Sequence, residues 1–396
     1  MHILIQQSTL LNAIQTVGRA VPTKPTHPVL SNIKIETDED HLIFAGFDLS
    51  FGIEMRLNDC LIKQHGSACL PAKLLINIVS KQDSNSEIEM MIDDNFQCTL
   101  RCDNIEYQIA GMDTMEYPDL SQAMDDNSEM NDDDFQEIVV NSGDLTLGIK
   151  HTTFASSQDE SKQVLTGVNF QIDASQLKVA ATDGHRLAVI TINPDHLELL
   201  DEDQTNETNL TIPAKILKEL ERILSQTKAE SVKLIEGNGS LMFKLKTDDI
   251  AATLVGRSLY GQYPNYPHLI PSDEQFITSL TIDRKTLIKS IEKIATILDE
   301  KSQKLITFNF DYDNQQIKLA AETQDVGKCF DTLSAQISGA DLEILALNSN
   351  YFLDGLRAIE STEVQIKFSG VKDPCIIYPL SEIDMLYLVM PVQIRR

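Results

Sequence analysis

Tryptophan is missing from this 396-residue chain, and aromatic residues make up only 6% of it. No indole is available to anchor a pocket or to sit at a membrane–water boundary. Long apolar runs are missing too: no stretch approaches the ~20 residues that a membrane-spanning helix needs. The opening residues MHILIQQSTLLNAI carry no basic leader ahead of a long apolar core, so a secretory signal is not expected. Positive charge is scarce, since 33 Lys and Arg face 60 Asp and Glu for a net charge of −27. That balance favours solubility and, taken alone, argues against a nucleic-acid partner. The six cysteines (Cys60, Cys69, Cys98, Cys102, Cys329 and Cys375) are scattered. Only Cys98 and Cys102 lie close, and neither a His pair nor a second Cys pair accompanies them. No metal and no cofactor are expected, and reduced thiols of a cytoplasmic protein are the simpler reading.

Signatures of catalysis are equally sparse. The chain has no G-x-S-x-G, no H-E-x-x-H and no G-x-x-x-x-G-K. One stretch nevertheless attracts attention: ATDGHRLAV, residues 181–189, sets Asp183, His185 and Arg186 beside a glycine. A hydrolase reading would make His185 a base oriented by Asp183, but it supplies neither nucleophile nor oxyanion hole. An Asp-Gly pair is more simply a turn. His185 and Arg186 then either tie strand ends together or line a groove.

What the chain does have is internal repetition. STLLNAIQTVGRAV, SGDLTLGIKHTTFA and DRKTLIKSIEKIATIL recur about every 140 residues. The first and third carry apolar residues at helical spacing: Leu10, Ile14, Val17 and Val21, then Leu287, Ile291, Ile294 and Leu298. Each stretch is followed by alternating apolar and polar residues on both sides of a polar turn, as in a half-buried hairpin with a further strand. A second helix follows in LPAKLLINIVSK, IPAKILKELERIL and LNSNYFLDGLRAI, with Pro71 and Pro213 suited to the first helical turn. The spacing predicts helices over 8–21, 71–82, 142–155, 213–228, 283–298 and 348–359. The fold class is α+β: three repeated domains, each with two helices packed on about eight antiparallel strands. Acidic SQAMDDNSEMNDDD (121–134) reads as linker, HLIPSDEQF (268–276) as a second boundary, and 199–209 as an exposed acidic loop. Domains over 1–134, 135–272 and 273–396 follow.

The scarce cations are not spread evenly. The six expected helices hold 13 of the Lys and Arg but only 6 of the acids, leaving them at +7 and the remainder at −34. A solvated helix face is one explanation. Helix propensity favours Glu as much as Lys, however, so it does not explain a single sign. The other explanation is a helical face that meets a polyanion weakly and without sequence preference.

Together HPVLSNIKI, LPAK, TTFASSQDESKQVLTGV, ATDGHRLAV, YPNYP and YLVMPVQI, in this order within a threefold repeat, resemble the bacterial DNA polymerase III beta subunit family, the sliding clamps. The resemblance covers nearly the whole chain. It implies a non-catalytic, head-to-tail homodimer, a ring of three clamp domains per chain that encircles double-stranded DNA. Its partners would be the replicative polymerase alpha subunit, the clamp loader, and other polymerases and repair proteins that insert a short peptide. Carried over residue by residue, the peptide groove comprises Leu165, Thr182, Gly184, His185, Arg186, Leu187, Pro264, His268, Leu269, Asn348, Tyr351, Met390, Pro391 and Val392. Leu165, Leu187, Leu269 and Met390 would form its apolar floor; Thr182, His185, Arg186 and Asn348 would orient the peptide backbone. DNA contacts fall on Lys24, Lys73, Lys162 and Lys215, and the dimer contact on Tyr107 against Ile297 and Leu298. The chain departs from the family at His268, often Arg there, at Gln393 and the added Arg395–Arg396, in a longer acidic linker, and in lysines where some relatives have arginine. A soluble peptide-binding scaffold that never encircles DNA is the competing reading.

Overall fold

The computed structural model describes residues 1–120, 136–173, 175–193, 198–199, 208–299, 303–323, 326–342 and 344–393. One order of elements occurs three times. The first repeat runs β1 (His2–Gln6), α1 (Gln7–Val17), β2 (Asn32–Asp38), β3 (His41–Phe47), β4 (Gly52–Leu57) and β5 (Leu61–Gln64). It closes with β6 (Ser67–Pro71), α2 (Ala72–Val79), β7 (Glu87–Ile92), β8 (Gln97–Cys102) and β9 (Ile105–Ala110). The second holds β10 (Gln136–Asn141), α3 (Ser142–Thr152), β11 (Gly167–Ile172), β12 (Leu177–Thr182), β13 (Arg186–Ile192) and β14 (Glu198–Leu199). Then come β15 (Thr208–Pro213), α4 (Ala214–Thr227), β16 (Ser231–Gly237), β17 (Ser240–Lys246) and β18 (Ile250–Arg257). The third holds β19 (Thr278–Asp283), α5 (Arg284–Ile294), β20 (Leu305–Asp311), β21 (Gln316–Thr323), β22 (Gly327–Ser334) and β23 (Gln336–Gly339). It ends with β24 (Leu345–Asn348), α6 (Ser349–Ala358), β25 (Glu363–Phe368), β26 (Cys375–Pro379) and β27 (Asp384–Val389). Each repeat thus has nine strands among the described residues, one more than expected.

The helices lie where the apolar spacing puts them, with ends that local chemistry explains. Leu10, Ile14 and Val17 are buried, as are Leu287, Ile291, Ile294 and Leu298. α1 stops at Val17 and passes into a 3-10 turn over Gly18–Ala20, so Val21 lies beyond it. Asp283 caps α5 by accepting the Thr286 N–H at 2.7 Å, and Asn348 caps α6 through the N–H groups of Asn350 and Tyr351. Pro71 and Pro213 correct one expectation, because they end the preceding strands and stand just before the helices. Both β6 and β15 are edge strands, where a missing N–H costs no ladder bond. The acidic stretch 199–209 is corrected at both ends, since Leu199 belongs to β14 and Thr208 and Asn209 to β15. Residues 121–134 lie outside the described residues.

The chain forms two compact units. The first, mainly Met1–Leu145 and Lys215–Ser258, contains a five-stranded sheet, β5-β1-β7-β8-β9, and a nine-stranded sheet, β14-β10-β16-β17-β18-β4-β3-β2-β6. The second, mainly Thr146–Asp195 and Leu259–Arg396, contains β15-β11-β12-β13-β27-β26-β25-β19-β23 and the four-stranded β22-β21-β20-β24. Each nine-stranded sheet is continuous across two repeats: the last strand of one repeat pairs antiparallel with the fourth strand of the repeat before it. Those pairs are β18 with β4, and β27 with β13. The counterparts that would complete this pattern, β9 and β22, are open sheet edges.

Hairpin turns are set by carboxylates that accept from the backbone two and three residues ahead. Asp173 accepts from the N–H of Ser175 and Gln176 and from the Ser175 hydroxyl. The Ser175 hydroxyl leads in holding the Asp173 carboxyl down at about 2. A folded-state pKa below the unfolded one means the turn's contribution is present above the ordinary carboxylate range, near 4. It is lost as pH falls through about 2. The Asp173 carboxyl should therefore titrate near 2 by NMR and return towards its ordinary value in Ser175→Ala; an unmoved midpoint contradicts this account.

Candidate functional site

The stretch that resembled an active site is a built turn. Asp183 sits between β12 and β13 and accepts the N–H groups of His185 (2.9 Å) and Arg186 (3.2 Å) through Oδ1. Its Oδ2 takes the Arg186 Nε–H at 3.0 Å. Gly184 has φ +92°, a conformation that is costly for residues with a Cβ. The equivalent turn of the first repeat repeats the geometry with Asp48 and with Leu49 at φ +74°. The Thr182 hydroxyl donates to the Arg186 carbonyl at 2.6 Å and accepts from the Gly184 N–H at 3.1 Å. With Asp183 committed to N–H groups and a guanidinium, it does not orient the His185 ring, and the hydrolase reading loses its second member.

Arg186 organises the region. It is only 8% exposed, yet all three faces of its guanidinium are used. Nε donates to Asp183, one terminal nitrogen to Asp354 Oδ2 at 2.6 Å, and the other to the Phe154 carbonyl at 2.8 Å. Its plane lies 4.6 Å from the Tyr351 ring centroid, and the His185 ring stacks on Tyr351 at 6.0 Å. Burial works against the charge, but Tyr387, Asp354 and Asp183 outweigh it and hold the guanidinium above its ordinary pKa. Tyr387 is fully buried and donates to the Tyr351 carbonyl. Burial also raises Tyr263, whose hydroxyl accepts the Thr182 N–H at 3.0 Å.

These bonds gather one part of the expected groove. The N–H of Met390 donates to the His185 carbonyl (2.9 Å), and that of Val392 to Ala346 (2.8 Å), so the strand-like tail through Pro391 lies between the turn and β24. Met390 is 40% exposed and Leu269 54% exposed, leaving apolar surface for a ligand. Pro264 and His268 are exposed in the segment that carries Tyr263 and Tyr266, while Leu165 is half-buried beside Val164. Both tyrosines and Val164 pack with Leu187 in a single apolar cluster. Leu187 itself is 1% exposed, which corrects its place in the floor: it supports the groove from the core. Thr182, Arg186 and Asn348 are also corrected, because their polar atoms are spent on the turn, on Asp354 and Phe154, and on the α6 cap with the Gln303 carbonyl. They shape the groove and leave His185 as the exposed polar side chain of the turn. The supporting residues Asp354, Phe154, Tyr263 and Tyr387 were not singled out from sequence. Asp354 alone had a signal, lying three residues after Tyr351 on the same helix face.

The remaining expected sites are distributed. Lys24 is exposed in the loop after α1, and Lys73 and Lys215 occupy the second positions of α2 and α4. Lys215 is not free, because its ammonium meets Asp48 at 3.0 Å and lies 5.4 Å from the Phe51 ring. Lys162 reaches the Asp183 carbonyl at 3.5 Å and so stands beside the turn. Tyr107 lies on the edge strand β9, where its hydroxyl accepts from Gln82. Leu298 is 7% exposed within its own repeat, so it supplies no surface for a dimer contact; Ile297 beside it is half-buried. Burial pushes the Cys69, Cys98 and Cys375 thiols up to about 12, away from thiolate chemistry. Among the described residues, no cluster of three His, Cys, Asp or Glu side chains converges to hold a metal, and no helix is long and apolar enough to cross a membrane.

A threefold repeat with two continuous inter-repeat sheets and a groove beside the second of them defines a clamp subunit. The sequence matches the DNA polymerase III beta subunit N-terminal domain over residues 1–121, its central domain over 139–265 and its C-terminal domain over 268–393. The beta sliding clamps of Synechococcus elongatus and Synechocystis are 34% and 35% identical, with full coverage of both chains in each case. Among solved structures, the DNA polymerase sliding clamp of Bacillus subtilis (27% identical) aligns over both whole chains at a TM-score of 0.85. The Streptococcus pyogenes beta subunit (25% identical) does so at 0.86. The chain belongs to the DNA polymerase III beta subunit family, the sliding clamps.

Proposed function

We propose that the protein is a non-catalytic DNA sliding clamp: two copies close head to tail around duplex DNA and tether the replicative polymerase during replication. The observation that carries this reading is the repeated strand pairing. Two inter-repeat junctions use the last strand of one repeat and the fourth strand of another, and the same two positions remain as edges at β9 and β22. Pairing β9 of one copy with β22 of a second, and the same pairing at the other end, leaves neither edge open in a closed two-copy ring. Each edge carries one large exposed apolar side chain for such a contact, Ile105 on β9 (50% exposed) and Phe330 on β22 (65% exposed). Tyr107 and Ile297 belong to this proposed contact region.

A ring retains DNA by topology, so its inner surface need only be weakly cationic. On α5 the exposed Lys285, Lys289 and Lys293 fall at i, i+4 and i+8, opposite buried Leu287, Ile291 and Ile294. Lys24, Lys73, Lys162 and Lys215 complete the proposed DNA-facing set, with Lys215 shared with Asp48. Lysines act as point charges without bidentate reach, which suits sliding. The groove at Tyr351, His185 and Met390 takes short peptides from the polymerase alpha subunit, the clamp loader, other polymerases and repair proteins, and the ring works in the cytoplasm. The domains span 1–134, 135–272 and 273–396. Protein loaded on closed circular plasmid should survive gel filtration at 0.5 M salt and run off once the plasmid is linearised. Equal retention on both forms would favour simple adhesion, and no retention on either would favour the peptide scaffold.

A further inference from the structure

We infer a second binding site, for an acidic peptide with apolar side chains, on the nine-stranded sheet of the first unit where β18 pairs with β4. A cavity of about 750 Å³ opens there. α1 packs on β3 and β4. Buried Ile53, Met55 and Leu57 alternate along β4 with the cavity-lining Glu54 and Arg56, so the cavity is on the sheet face turned away from α1.

Its lining has two parts. The floor is apolar: half-buried Met242 presents the accessible surface and packs on buried Leu120 and Val255 beneath it. The wall is cationic. Lys233 and Lys244 stand directly opposite each other in the β16–β17 ladder, a like-charge pairing that destabilises a sheet when nothing neutralises it. Lys233 is met by Glu137 at 2.8 Å. Lys244 and Lys246 form no ion pair with described residues, and both are exposed. They lie two residues apart on one strand, so their side chains leave the same face from backbone positions about 7 Å apart.

That spacing matches carboxylates on alternate residues of an extended peptide, whose intervening or terminal apolar side chains would reach the floor. The chemistry disfavours nucleic acid. Glu54, Asp119 and Glu137 also line the cavity and would repel a phosphate backbone, whereas an acidic peptide can set its few carboxylates against the lysines alone. On a chain of net charge −27, two lysines without ion pairs above an apolar floor form a selective positive spot. None of the lining belongs to the turn–tail groove of the second unit, so the two sites should bind independently.

Fluorescence anisotropy of the full chain with a fluorescein-labelled LDLELDL peptide, whose carboxylates fall on alternate residues, tests this. Binding should weaken at least tenfold in Lys244→Glu/Lys246→Glu, and severalfold between 50 and 300 mM salt. It should be unchanged in Met390→Ala. Lys244→Gln/Lys246→Gln, which removes charge without adding repulsion, should lose affinity with an unaltered melting temperature. No binding overturns the proposal, as does loss in Met390→Ala with retention in the lysine variants. Displacement by an equal concentration of single-stranded oligonucleotide makes the occupant nucleic acid and also overturns it. Binding that emerges only after the acids of 121–134 are changed to amides would make the chain's own acidic stretch the occupant, with the same consequence for an external partner.

Discussion

Replacing Arg186 with alanine is expected to destabilise the second unit by about 3 kcal/mol or more and to abolish peptide capture. The size follows from what is left behind: removing one partner of a buried ion pair typically costs ~3–5 kcal/mol, because the other charge stays without compensation. Here the Asp183 carboxylate is 9% exposed, and the Phe154 carbonyl also loses its donor. Asp354 is more exposed and will recover water, which limits its share. Arg186→Lys keeps the charge but lacks the fork that reaches Asp183, Asp354 and Phe154 together, so it should recover only part of the loss. Urea unfolding followed by circular dichroism measures the first effect, and polymerase-peptide binding measures the second. Met390→Ala separates the two, since a 40% exposed side chain should weaken peptide binding with little change in unfolding. An Arg186→Ala protein of unchanged stability would mean that the network is dispensable.

The second large effect concerns assembly. Phe330→Glu on β22, or Ile105→Glu on β9, should turn a dimer into a monomer across the micromolar range and abolish retention on closed circular DNA. Burying a large apolar side chain contributes ~1.5–3 kcal/mol, and an unpaired carboxylate forced into the same place costs more. A combined loss of ~3 kcal/mol or more corresponds to at least a hundredfold weaker dimer. Sedimentation equilibrium reads this directly. Either variant alone should suffice, since the proposed contact joins β9 of one copy to β22 of the other. A dimer of unaltered strength in both variants would place the subunit contact elsewhere.

Elements, their order and their repetition were legible because each depends on residues near one another in the chain. Leu287, Ile291 and Ile294 announce a helix, and alternation either side of a polar turn announces a hairpin. The prolines of LPAK and IPAK misled by one position, because a local rule for helix starts does not register that the same residue is still paired in an edge strand. In ATDGHRLAV, the spacing of Asp183 and Gly184 revealed a turn. Nothing nearby revealed that Arg186 would be taken up by Asp354, 168 positions away.

The groove shows the same division. Sequence placed Met390 and Leu269 at the surface, but it also placed Leu187 there, which tertiary packing puts in the core with Tyr263 and Tyr266. It likewise placed Lys215 among the DNA contacts with no sign that Asp48 of another repeat holds its ammonium. By itself the sequence determined the threefold α+β order, the helix positions, the acidic body with cationic helices and the family. Only the tertiary structure decided which polar groups are spent, which apolar residues stay exposed, and which sheet edges lack a partner. Periodicity reports the face a residue turns, whereas hydrogen-bond partners and edge pairing are fixed by segments that meet only when the chain is folded.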